Sequence, residues 1–352
     1  MFPQIQTPAV LVDIDVAKRN ILHFQAYADA HRLKVRPHIK THKLPAMAEI
    51  QLRAGAVGLT CQKVSEAEAM VTGSGLIRDI LITYNIVGDE KLRALRALSD
   101  KVKLAVVADN RIVIDGLSAA FMGRDSALTV LVECNTGADR CGVASPESAA
   151  ELAVAIAKAP GLEFGGLMTY PPTGGVANVQ AFMFRAKTLI EEMGLTVPCV
   201  SSGGTPDMMS AHTAPITTEY RPGTYVYNDR SLVSRGACGW SDCALTVLAT
   251  VVSTPAANRA IVDAGSKILT SDLLGLSGYG HVLGRPDIAI DQLSEEHGRL
   301  RCADDIGLKV GQRVKIVPNH ACVVSNMVDA VHIVSGSEGV AVWPVVARGK
   351  IV

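Results

Sequence analysis

The sequence predicts an α/β protein, a (β/α)8 TIM barrel followed by a mostly antiparallel β domain. Three observations carry this expectation. Short β-rich runs alternate with helix-length segments as far as residue 235. Those runs are apolar on both faces, as strands covered by helices must be, and parallel strands need right-handed crossovers. About eight such units close a barrel rather than leave an open sheet. Beyond residue 236 the helical segments thin out and β-branched runs broken by Gly and Pro take over, the pattern of antiparallel strands.

In chain order, "AVLVDID" reads as a strand that pairs with the later β domain, and "VAKRNILHFQAYADAHR" as a helix. The barrel strands are then "KVRPHI" (34–39), "VGLTC" (57–61), "DILIT" (79–83), "KLAVVAD" (103–109) and "LTVLVEC" (128–134). "FGGLMTY" (164–170), "PCVSSGG" (198–204) and a weaker "ITTEY" (216–220) complete the eight. In "SPESAAELAVAIAKA", Ser145 is placed to cap a helix whose first position is Pro146. The later runs are "CALTVLATVVSTP", "RAIVDAG", "GLKVGQRVKIVPNH" and "DAVHIV". The predicted domains are therefore a barrel over 15–235 and a β domain made of 1–14 and 236–352.

Bulk properties exclude several classes of partner. There are 34 basic and 34 acidic residues in 352, a formal net charge of zero. That balance offers no basic surface for nucleic acid or a membrane. No apolar run approaches the ~20 residues needed to span a bilayer, and "MFPQIQTPAVLVDID" lacks the pattern of a signal peptide. The eight cysteines show no C-x-x-C spacing, so neither a zinc ribbon nor a disulfide framework is indicated. A reducing, cytoplasmic location is expected.

The chemistry concentrates at strand ends. "VRPHIKTHK" follows the first barrel strand and puts Lys40 at the end of the barrel where active sites are built. One lysine on a loop is ordinarily a solvated charge. Short of water and beside other cations, the same lysine can form a Schiff base. "CNTGADRCGV" brings Arg140 to the same mouth after the fifth strand. "SSGGTPD" follows the seventh. Its backbone N–H groups at Gly203 and Gly204, with Ser202 and Thr205, can form an anion nest for a phosphate. A mouth lysine with a phosphate nest suggests pyridoxal 5'-phosphate, and Tyr225 or Tyr227 of "EYRPGTYVYND" could close the phosphate site.

Taken together, "TPAVLVDID", "RPHIKTHK", "CQKVSEAEAM", "TGADRCGV", "GGTPD", "RPGTY" and "PNHAC" make the chain resemble the D-threonine aldolase and D-serine dehydratase family of pyridoxal-phosphate enzymes, related to alanine racemase. The resemblance covers nearly the whole chain. It implies an alanine-racemase-like barrel and β domain, a homodimer, and a Schiff-base lysine at Lys40. It also implies Arg140 at the edge of the pyridine ring. His38 and Tyr170 join Lys40 and Arg140 as expected cofactor contacts.

The second informative stretch is "VPNHACVVSN". Read as a strand, it puts His320 and Cys322 on one face, where imidazole and thiolate together suit zinc. On spacing alone a buried histidine beside a free cysteine is the better explanation. The resemblance implies a divalent metal there, zinc in the first place, with manganese or magnesium as alternatives. Cysteine at the second position resembles the dehydratases and aspartate the aldolases. "PPTGG" after Tyr170 departs from the histidine-bearing loop of the aldolases.

The expected activity is thus a metal-activated lyase acting on D-β-hydroxy-α-amino acids. It leans to a dehydratase of the D-serine or 3-hydroxy-D-aspartate type, giving a 2-oxo acid and ammonia. Retro-aldol cleavage to glycine and an aldehyde is the first alternative. An amino-acid racemase and a non-catalytic pyridoxal-phosphate carrier are the others. A carrier needs no β domain with a His-x-Cys pair.

Overall fold

The computed structural model describes residues 1–352. The chain falls into two compact units. One comprises Met1–Ile21, Thr41–Leu44 and Thr224–Gly349; the other comprises Leu22–Lys40, Pro45–Gly223 and Lys350–Val352. No helix is long and apolar enough to cross a membrane.

The first strand, β1 (Ala9–Asp13), belongs to the β unit. The barrel unit follows with β2 (Lys34–Val35), β3 (Leu59–Cys61), β4 (Asp79–Ile82), β5 (Lys103–Ala108) and β6 (Leu128–Cys134). It continues with β7 (Leu162–Thr169), β8 (Val200–Ser202) and β9 (Glu219–Tyr220). These eight strands are all parallel, in the order β2-β9-β8-β7-β6-β5-β4-β3. The ends of that path meet. The Val57 N–H donates to the Val35 carbonyl at 2.9 Å and the Thr60 N–H to the Pro37 carbonyl at 2.8 Å, and a single bridge joins His38 to Thr60. The barrel therefore closes, and closure removes the exposed sheet edge.

Alternation decides what fills it. Leu81, Val107, Leu131 and Met168, one from each of β4 to β7, form one buried cluster. That is the packed interior a barrel of this size requires. Two glycines are needed for close approach. A Cβ at Gly166 (φ 125°) would lie 2.0 Å from the Cys199 carbonyl oxygen, and one at Gly203 would lie 2.7 Å from that of Arg221. Helix starts follow the sequence signals: Ser145 accepts from the Ser148 N–H at 3.1 Å, and Asn110 from the Val113 N–H at 3.0 Å.

Several predicted strands are shorter than their apolar runs. "KVRPHI" contributes only β2 as a paired strand; the Arg36 and His38 N–H groups still donate to the Tyr220 and Pro222 carbonyls at 3.0 and 2.9 Å, but neither Pro37 nor Pro222 has an N–H to return a bond. The chain then tightens into a 3₁₀ turn, Ile39–Thr41, that carries Lys40.

The β unit is built on the long strand β10 (Leu245–Ala256), which pairs antiparallel with β1, with β11 (Arg259–Val262) and with Arg313–Val317. On its other edge β1 runs parallel to Ala330–Ser335, which pairs antiparallel with Glu338–Pro344. Phe2, Ile5, Ala9, Leu11, Leu248 and Val334 pack as one apolar cluster between these strands. The expectation that "AVLVDID" pairs with the later domain is met by these registers.

Candidate active site

Tyr170 directly follows β7 at the C-terminal mouth of the barrel, and three predicted site segments converge on its ring. The Lys40 Nζ lies 5.8 Å from the ring centroid and the Arg140 guanidinium carbon 4.8 Å from it. Both are within reach of the ring's negative face. A Cβ at Gly204 would stand 3.7 Å from the Tyr170 Cε2. The glycine turn is tied down behind: the Tyr220 hydroxyl donates to the Gly204 carbonyl at 2.8 Å, and the Gly223 N–H donates to the Thr205 hydroxyl at 3.3 Å. Ser202, the last residue of β8, is buried, and so is Thr205.

His38, expected as a cofactor contact, lies beside Lys40. Both of its ring nitrogens are used within the protein. Nδ1 accepts from the Lys40 N–H at 3.3 Å, and Nε2 lies 3.1 Å from the Gln62 Oε1. Those bonds set the tautomer, with the proton on Nε2, and hold the turn that presents Lys40.

Sequence reasoning missed two ionisable groups at the same mouth. Glu133, on β6 and 4 % exposed, has no hydrogen bond or ion pair to its carboxyl group. Burial pushes it up to about 7, with Arg140 opposing and Asp109 adding to the rise. Carboxylate oxygens of Asp109 and Glu133 and the Cys141 Sγ lie within 4.8 Å of one another. Asp109 is committed to the Gly142 N–H at 3.0 Å, and Arg140 already supplies positive charge among them. Arg221 is the second. Fully enclosed, it donates to the Thr169 carbonyl and to the Ser201 hydroxyl, both at 2.7 Å, and burial lowers its pKa. The available signal was the alternation itself: Glu133 stands two residues after the interior Leu131, and Arg221 two after the buried Glu219.

In the β unit, the turn "PNHAC" is held residue by residue. The Arg230 guanidinium donates to the Asn319 Oδ1 at 3.0 Å, and the Asn319 amide donates to the Gly278 carbonyl at 2.8 Å. One buried carboxylate, Asp229, accepts from the Ala321 N–H at 3.0 Å and from the Leu232 N–H at 3.2 Å, capping two short helices. The sequence reading of a strand here is corrected: His320 precedes the helix Ala321–Met327, and Cys322 is its second residue. Asp229 stabilises the helical start by supplying the acceptor that its first N–H groups lack. A turn, not strand alternation, brings the two side chains within hydrogen-bonding reach of each other.

The His320 Nδ1 lies 2.7 Å from the Asp272 Oδ2. Burial disfavours its charged form, but Cys322, Asp272 and Asp229 outweigh burial and raise it to about 9. The Cys322 Sγ lies 3.1 Å from the Thr41 hydroxyl and 3.6 Å from that of Thr224. Thr41 is the residue after Lys40 in the chain. Tyr225 and Tyr227 are both fully buried in this unit. The Tyr227 hydroxyl has no hydrogen-bond partner, and its ring meets His42 edge-on at 6.4 Å.

A closed parallel barrel with its ionisable groups at the C-terminal mouth, joined to a mostly antiparallel β unit, defines the alanine-racemase-like class of proteins. Residues 12–231 match the model for the alanine racemase N-terminal domain, and residues 244–334 the one for a putative serine dehydratase domain. The chain belongs to the D-threonine aldolase and D-serine dehydratase family within that class. It is 34% identical to the 3-hydroxy-D-aspartate aldolase of Paracoccus denitrificans (strain Pd 1222), over 99% of this chain and 93% of that one. The D-threonine aldolase structure from Filomicrobium marinum superposes with a TM-score of 0.92 at 33% identity, covering 100% of this chain and 98% of that one. The D-threo-3-hydroxyaspartate dehydratase of Delftia sp. (strain HT23) is 30% identical over 96% of this chain and 97% of its own. A structure of a cysteine-to-alanine mutant of a D-threo-3-hydroxyaspartate dehydratase, in the metal-free form, gives a TM-score of 0.88 at 28% identity over 97% of both chains. Another carries alanine in place of the histidine two positions earlier.

Proposed function

We propose that this chain is a pyridoxal-phosphate- and divalent-metal-dependent lyase of D-β-hydroxy-α-amino acids, and that it eliminates water rather than cleaving the carbon chain. The observation that carries the elimination reading is Cys322 beside His320. A dehydratase relative has a histidine and a cysteine at the same spacing, and its cysteine-to-alanine mutant is described as metal-free.

The residues fit both groups. An amine, a guanidinium and a glycine turn converge on Tyr170, which suits an aldehyde that also carries a ring and a phosphate. Imidazole with thiolate is a donor set that suits zinc before manganese or magnesium. When bound, pyridoxal phosphate supplies an electron sink for charge developing at the substrate Cα, and the metal supplies a Lewis acid.

The chain's own side chains then have distinct tasks. Lys40 Nζ would hold the cofactor aldehyde and is the base proposed to take the proton from Cα. The Gly203 and Gly204 amides, with Ser202 and Thr205, receive the phosphate. Arg140 stands beside the ring, and Tyr170 keeps Lys40 and Arg140 apart. The His320 Nε2 and Cys322 Sγ hold the metal. The proton that Lys40 takes from Cα would pass to the departing β-hydroxyl, so that water leaves; one water is regained when the product hydrolyses, and the net products are ammonia and a 2-oxo acid.

A cytoplasmic homodimer is the proposed working form. Retro-aldol cleavage stays as a second reading because the aldolase relatives, at 33% and 34% identity, are at least as similar as the dehydratase at 30%. The two are separated by incubating the protein with D-threo-3-hydroxyaspartate, D-serine and D-threonine and measuring products. Ammonia with a 2-oxo acid is expected; glycine with an aldehyde as the main products would reverse the assignment.

A further inference from the structure

We propose that Asp272 is the positioning residue for His320: its carboxylate fixes the imidazole through Nδ1 and so presents Nε2 to a divalent cation. The inference rests on the metal reading above and adds a residue that neither the His-x-Cys motif nor the sequence analysis contains.

The first observation is the 2.7 Å contact between the His320 Nδ1 and the Asp272 Oδ2. With one ring nitrogen taken, only Nε2 is left to ligate. Metal-bound histidines characteristically donate their second N–H to a carboxylate, which sets the tautomer and raises ligand basicity. The second observation is the backbone that delivers the aspartate. Thr270 sits at φ 64°, ψ 167°, a region that belongs almost wholly to glycine, and Leu274 sits at φ 47°. A β-branched and a γ-branched residue held at positive φ two positions either side of one aspartate mark a constrained loop. Local bonds lock it. The Thr270 hydroxyl accepts from the Asp272 N–H, and the Asp272 Oδ1 accepts from the Leu274 N–H, both at 3.3 Å. Oδ1 is thereby turned into the loop and Oδ2 toward the histidine. The remaining neighbours of His320 are accounted for. Cys322 is its partner ligand, and Asp229 is spent on the Ala321 and Leu232 N–H groups and on the Ser231 hydroxyl.

The test is zinc affinity, measured in competition with a chromophoric chelator on the cofactor-loaded protein. Asp272→Ala removes both bond and charge and should weaken zinc binding by about 10–100-fold. Asp272→Asn keeps an acceptor for Nδ1–H and should fall between that variant and the wild type. With cobalt(II) as the probe, the thiolate charge-transfer band should persist in both variants while the ligand-field bands shift, since Cys322 stays and the imidazole loosens. Borohydride fixation of the cofactor on Lys40 should be unchanged, which separates a local effect from misfolding. Wild-type zinc affinity in both variants overturns the assignment of Asp272 alone. If His320→Ala also binds zinc like the wild type, the metal reading falls and takes this inference with it.

Discussion

At the N-terminal end of the barrel, Arg36 is clamped between Glu219 at 2.7 Å and Asp79 at 2.5 Å, with Lys103 a further 3.4 Å from Asp79. These charges rim a cavity of about 390 Å³ floored by Leu81, Ala105 and Leu131. At the C-terminal end, Lys40 and Glu133 have no ion-pair partner, and Arg140 lies over the Tyr170 ring with Glu133 and Cys141 as its electrostatic neighbours. A polar string through the interior links the two ends: Glu219 accepts from the Ser201 hydroxyl at 2.6 Å, and Ser201 accepts from Arg221. The contrast separates two uses of charge. Groups that satisfy one another hold the barrel together. Groups left without partners at a mouth are placed for a ligand that will complete them. The large cavity at the paired end is thus read as a stabilising rim, and the site as the other end.

The strongest way to break this comparison is to remove one cation from each end. Lys40→Ala should lower turnover by three orders of magnitude or more, roughly the loss expected when a nucleophile that is also the base is deleted. Its unfolding free energy should stay close to that of the wild type. Borohydride reduction followed by peptide mapping should find the cofactor on Lys40 in the wild type; fixation on Lys43 or Lys63 would move the site. Arg36→Ala should do the reverse. It strands a buried Glu219 and should cost about 3–5 kcal/mol in denaturant unfolding, while activity per folded molecule is kept.

Metal removal comes next in size. Exhaustive chelation should abolish lyase activity but leave cofactor fixation on Lys40 intact, because the side chains proposed for the two groups are different. Retained activity without metal would remove His320 and Cys322 from the mechanism. Because His320 must lose its proton to ligate, and its neighbours raise it to about 9, metal affinity should climb as pH rises toward that value.

The smallest effect sharpens the comparison at Glu133. Its folded pKa, about 7, lies above the unfolded value of 4.5. Below pH 4.5 both states are protonated and the group contributes nothing. Between 4.5 and 7 the unfolded state has lost the proton that the folded state keeps, so stability falls as pH rises through that window. Glu133→Gln should flatten this fall and add up to on the order of 3 kcal/mol above pH 7. Thermal midpoints across pH 4–8 would show it. An unchanged profile would mean that Glu133 is ionised in the folded protein.

Much of this was legible in the residues. Near-continuous apolar runs, spaced by helix-length segments, pointed to the eight parallel strands, because a strand buried on both faces carries apolar residues on both. The N-cap at Ser145 and the later β-rich unit were legible for similarly local reasons. So was the position of Lys40 at a strand end, since active-site placement in barrels follows from topology. Only the tertiary structure decided the rest. The paired part of the first barrel strand ends at Val35, and Lys40 sits in a 3₁₀ turn beyond it. Asp229, 92 residues away in sequence, supplied the acceptor that made "HAC" the start of a helix and not a strand. Asp272 reached His320 across 48 residues through a backbone that local preference disfavours. Glu133 gained its altered acidity from burial, which a sequence does not state. Periodicity encodes which face a residue shows; which partner waits on that face depends on contacts between segments far apart in the chain, and those exist only once the chain has folded.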